Sequence, residues 1–79
     1  MEDAIKKVIG STWFSFEDVE SDSASLTSRE YGDSCEETPG VQDIREANRI
    51  TRELRAAGFK ATAQVVDEWV IINARKGDL

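Results

Sequence analysis

Residues 39–74 constrain the fold most, because they read as one amphipathic helix followed at once by two strands of matched register. At 100° per residue, Ile44, Ala47, Ile50, Thr51, Leu54 and Ala57 form a single stripe. Thr38 and Pro39 suit an N-cap and first helical position, so the spacing predicts a helix from about Pro39 to Ala57. Gly58 is placed to take a left-handed cap, with Phe59 packing back near Leu54. Next, Phe59, Ala61, Ala63 and Val65 alternate with Lys60, Thr62 and Gln64. After Asp67-Glu68, Val70, Ile72 and Ala74 alternate with Trp69, Ile71 and Asn73. A turn at those two acids sets Val65 opposite Val70, Ala63 opposite Ile72 and Ala61 opposite Ala74, with all six on one face. A helix can cover that face.

The first part of the chain completes the sheet. Residues 2–9 suit a short helix, with Ala4, Ile5, Val8 and Ile9 on one side and Gly10 as its stop. Its acids lead and its lysines follow, as the helix dipole favours. Ser11–Val19 reads as a strand carrying Trp13, Phe14 and Phe16, with Phe14 and Phe16 on one face. A turn over 20–24, a weaker strand over about Ser25–Tyr31 and a loop over 32–40 follow. The expected fold is α+β in the order α-β-β-α-β-β: a small antiparallel sheet of three or four strands with one long helix packed on it. The 79 residues make one small domain with a modest core.

Charge is concentrated in the middle. Between Glu17 and Asp43 stand nine acids (Glu17, Asp18, Glu20, Asp22, Glu30, Asp33, Glu36, Glu37 and Asp43) and one base, Arg29. That segment carries −8, residues 1–16 sum to zero and residues 44–79 to +2, giving the net −6. Such a surface repels nucleic acid and anionic membrane and attracts proteins built to hold polyanions. On an extended strand, Asp18 and Glu20, or Glu20 and Asp22, repeat at about 7 Å, close to the spacing of phosphates along one strand. The plainer reading is a solvated acidic coat. An EF-hand starting at Asp18 fails, since its required glycine and final glutamate are Ser23 and Arg29. Paired carboxylates also serve glycosidases, but so small a chain has little material for a cleft.

Other chemistry is thinly represented. The chain has no histidine and one cysteine, Cys35, flanked by Ser34 and Glu36. A zinc site within one chain and a Cys- or His-based enzyme are therefore not expected, nor is any cofactor. A lone cysteine and the lack of a long apolar run suggest a reducing, cytoplasmic setting. Arg45, Arg49 and Arg52 line the polar side of the long helix, where Arg49 and Glu53 suit an exposed i,i+4 pair. They are either a solvated surface or a contact for phosphate or an acidic partner. Trp69 and Ile71, beside Val66, fall on the hairpin face opposite the helix stripe. Either that face is an exposed apolar interface, through which the chain docks or forms a homodimer, or the N-terminal helix folds over it.

Two stretches resemble short open reading frames of phages and mobile elements: Arg29-Glu30-Tyr31-Gly32-Asp33 with Glu37-Thr38-Pro39-Gly40, and Val66-Asp67-Glu68-Trp69-Val70. That class, similar over roughly residues 29–72, includes small acidic inhibitors of host antiviral defence of the anti-CRISPR and anti-restriction type. The resemblance implies a phage-encoded inhibitor acting as a nucleic-acid mimic. From it and the charge together, the expectation is a non-enzymatic binding protein. Glu17, Asp18, Glu20, Asp22, Asp33, Glu36 and Glu37, with Trp69, would meet a basic protein or nucleoprotein surface, with no direct contact to nucleic acid or membrane.

Overall fold

The computed structural model describes residues 1–28, 41–66 and 69–77. Its elements run α1 (Glu2–Ile9), β1 (Ser15–Val19), β2 (Ser23–Thr27), α2 (Val41–Ala56), β3 (Lys60–Val66) and β4 (Trp69–Arg75). The order α-β-β-α-β-β and the α+β class are those the sequence predicts. All neighbouring strands are antiparallel, in the sheet order β1-β2-β4-β3. Expected residues 39–40 of the long helix, Arg29–Tyr31 of the second strand, and Cys35 lie outside the described residues.

Both helices cover the same face. Ile5 and Ile9 of α1 join Ala47, Ile50 and Leu54 of α2 in one buried cluster with Ala24, Leu26, Ala61, Val70, Ile72 and Ala74 of the sheet. Ile5, Leu26, Ile50, Leu54 and Ile72 are fully enclosed. Each large aliphatic side chain so buried contributes about 1.5–3 kcal/mol, which is most of what holds a domain this small. The sequence left open whether the N-terminal helix folds over Trp69. It does not: α1 lies with α2, and Trp69 and Ile71 sit half-buried on the other face.

The hairpin register is the expected one, with Val65 opposite Val70, Ala63 opposite Ile72 and Ala61 opposite Ala74. Burial along it is uneven. Val70, Ile72, Ala74 and Ala61 are buried, but Ala63 and Val65 are exposed, and so is Ile44 at the start of the helix stripe. The stripe therefore seals the sheet over Ala47–Leu54 and leaves one end of β3 open.

α2 ends as its glycine requires. Phe59 N–H donates to the Leu54 carbonyl at 2.9 Å and Gly58 N–H to that of Arg55 at 3.1 Å. Gly58 takes φ 98°, so this is a Schellman cap, and Phe59 packs onto the core. The end of the chain closes over this cap. A Cβ on Gly77 would stand 2.0 Å from the Gly58 carbonyl oxygen, so only glycine fits there.

The first strand departs most from expectation. It begins at Ser15, not Ser11, and Phe14 enters the core just ahead of it. Its partner begins earlier than expected, at Ser23, which shortens the turn to Glu20-Ser21-Asp22. The ladder runs Phe16 to Leu26, then Asp18 to Ser25 and Val19 to Ala24, with a bulge between Phe16 and Asp18. Strict alternation would put Asp18 on the helix side with Phe16. The extra residue, Glu17, turns Asp18 to the outer face and Val19 to the inner one.

Candidate acidic interface

Four of the expected site residues lie on β1 and the turn after it. Glu17 occupies the bulge, and Asp18 faces outward opposite Ser25. Glu20 and Asp22 flank Ser21 in the turn, which is closed by Glu20 N–H donating to the Ser23 carbonyl at 2.7 Å. All four are exposed. Asp33, Glu36 and Glu37 lie outside the described residues.

The strand ladder of carboxylates expected from the sequence does not form. β1 ends at Val19, and the chain reverses between Glu20 and Asp22. These acids cannot repeat along one extended strand as phosphates do. Instead Asp18 and Glu20 line one open recess on the outer face with Ser23, Ser25, Asn73 and Arg75. The register builds it: Ser25 lies between Asp18 and Asn73, and Ser23 beside Arg75. Two carboxylates, two hydroxyls, an amide and a guanidinium thus line one recess of the sheet surface.

Arg75 enters no ion pair with a carboxylate among the described residues, although it lines the same recess. Asp18 and Asp22 are equally without an ion pair among the described residues. Among the described residues Glu20 accepts only a long bond from Ser23 Oγ, at 3.5 Å. Lys76 meets the turn through its backbone, its N–H donating to the Asp22 carbonyl at 2.8 Å. Lys60, Arg75 and Ser23 are successive neighbours across the sheet, so a cationic rim borders the acids on one side.

The helix arginines do not neutralise this surface. Arg49 Nε and Nη2 grip both oxygens of Glu46 at 2.6 and 2.8 Å, and Nη1 donates to Glu53 and to the Ile9 carbonyl at 3.1 Å. That arginine, expected as an exposed contact, is a half-buried clamp between α2 and the end of α1. Glu46 is held below its ordinary value, chiefly by the Arg49 hydrogen bonds, and Arg49 is raised in turn by Glu46. Arg55 Nε caps the Ala61 carbonyl at 2.8 Å. Arg45 and Arg52 remain exposed on α2.

Asp43 leaves the acidic set. Its Oδ1 accepts from Trp13 Nε1 at 2.9 Å, tying the first turn of α2 to the segment before β1. No periodicity links these two residues, since they stand thirty residues apart. On the outer face the surface turns from polar at Asp18 to apolar toward Ile71 and Trp69, both half-buried.

Among the described residues, no three histidine, cysteine, aspartate or glutamate side chains are grouped as a metal site. No helix among them is long and apolar enough to cross a membrane. Comparison with protein-family models, curated proteins and solved structures finds no match to this chain.

Proposed function

We propose that this is a non-enzymatic binding protein whose acidic β1 edge and turn dock onto a basic, nucleic-acid-handling surface of a larger protein. The observation that carries this reading is the grouping of Asp18 and Glu20 in one outward recess, with Glu17 and Asp22 exposed beside them and Arg49 and Arg55 of the long helix engaged elsewhere. A lysine- or arginine-rich surface evolved to hold phosphates fits such carboxylates with charge-assisted hydrogen bonds. The recess also offers Asn73 and the Ser23 and Ser25 hydroxyls, which set orientation. Charge then governs encounter rate and register more than affinity, so binding weakens as salt rises. The resemblance to small phage proteins directs the choice of partner toward a bacterial defence complex such as CRISPR-Cas, which the chain would inhibit by occupying its nucleic-acid path. Changing Glu20 and Asp22 together to lysine tests this. Association should fall by about tenfold or more with the fold retained; unchanged binding removes the proposal.

A second reading rests on the outer face. Both helices lie on the other side of the sheet, and Trp69 and Ile71 sit together with partial exposure. Docking through that apolar end would make the acids a solubilising coat. Trp69→Ala separates the two readings: it abolishes assembly in this one and leaves electrostatic capture largely intact in the first.

A further inference from the structure

The two edges of the sheet are built differently. β1 has five residues, a bulge and two carboxylates, all of which discourage another strand from pairing with it. β3 has seven residues, an unbroken register with β4, and no charge after Lys60. It has no strand on its far side among the described residues. Among the described residues, two of the four exposed large aliphatic side chains lie at its far end: Val65 is 56% exposed and Val66 37%.

The direction of the free backbone groups follows from β4. The Val70 carbonyl accepts from Ser28 N–H, and Lys76 N–H donates to Asp22, so the even residues of β4 turn their backbone groups toward β2. In an antiparallel ladder the residues opposite them on β3 then point outward. These are Ala61, Ala63 and Val65. The Ala61 carbonyl is already taken by Arg55, which leaves Ala63 and Val65 with donors and acceptors that no described residue takes up on the open side.

We propose that β3 is a self-association edge, on which a second copy of this chain pairs antiparallel about a two-fold axis through Gln64 to give a continuous eight-stranded sheet. In that register Ala63 exchanges both backbone hydrogen bonds with the partner's Val65, and Val65 with the partner's Ala63. The Arg55 cap is untouched. A small side chain meets a larger one twice on the helix side, Gln64 meets the partner's Gln64 on the outer face, and Thr62 meets the partner's Val66. No like charges are opposed. A second copy is favoured over an unrelated strand because the uncharged run is complementary to itself about this axis. Net charge does not oppose it either. The acidic β1 edges end up seven strand spacings apart, roughly 34 Å, against a screening length of about 8 Å. This inference is independent of the acidic surface and of the proposal above.

The contact is narrow, so the dimer is weak and forms between micromolar and millimolar concentration. Sedimentation equilibrium over that range should show monomer passing to dimer. Ala63→Pro should weaken the dimer by about tenfold or more and keep the fold, because the lost N–H points away from β4. Val65→Lys places a charge on the edge and should do the same if the proline variant fails to fold. In a Cys35→Ser background, Gln64→Cys should form a covalent dimer on mild oxidation, since directly opposed residues approach within disulfide reach. Thr62→Cys should not. A chain that stays monomeric at millimolar concentration overturns the proposal. So does a dimer that survives Ala63→Pro and Val65→Lys, or one lost with Trp69→Ala alone.

Discussion

Arg49 donates to Glu46 and Glu53 on its own helix and to the Ile9 carbonyl where α1 ends. Spacing along α2 gave the Glu53 pair but not the Ile9 contact, because a carbonyl forty residues away leaves no periodic trace. Arg49→Ala should therefore cost about 1–2 kcal/mol in urea unfolding, more than an exposed ion pair, since the Ile9 carbonyl and Glu46 lose their donor. Arg49→Lys should recover only part, lacking the two-pronged grip on Glu46. The same contact makes stability depend on acid. Glu46 is held below its ordinary value of 4.5 in the folded chain, so its ionised form stabilises the fold above that value. The contribution disappears as pH falls through the lowered folded-state value. Urea midpoints measured from neutral pH down to about 3 should drop through that window, and Glu46→Gln should flatten this part of the profile while lowering stability at neutral pH.

At the level of elements, what could be read depended on how far apart the cooperating residues lie. α1, the Gly58 cap and the β3–β4 register each follow from neighbours a few residues apart, and each forms as the pattern requires. β1 does not, because alternation alone carries Phe16, Asp18 and Glu20 on one face. The bulge at Glu17 is a tertiary solution: it spares Asp18 from the helix side and moves Val19 there. That shift also decides which acids belong to the candidate interface, so the site was legible as a charge excess and illegible as a shape. Deleting Glu17 removes the extra residue and leaves Phe16 opposite Leu26, Asp18 opposite Ser25 and Val19 opposite Ala24, so Asp18 stays outward and stability in denaturant unfolding should change by less than about 1 kcal/mol. A loss of about 2 kcal/mol or more would show that the extra residue does more than set the facing of Asp18. The uncovered end of β3 escaped notice for a related reason. Ala63 and Val65 fit the core pattern, but the helix stripe does not reach over them.

Across the whole molecule, the charges are sorted by sheet position. Acids occupy the β1 edge and its turn, a rim of Lys60, Arg75 and Lys76 follows at the same end, and β3 is nearly neutral toward its far end. The layers explain how so small a chain keeps two dissimilar edges: one face carries both helices and the core, which leaves edges and the outer face for contacts. The most direct measurement immobilises the chain and captures proteins from a bacterial lysate at low salt, beside the variant with Glu20 and Asp22 changed to lysine. The account predicts a captured nucleic-acid-handling protein that is released by salt and by added duplex DNA and is not held by the variant. Capture by the variant equal to that of the original chain, or capture indifferent to DNA, would contradict it.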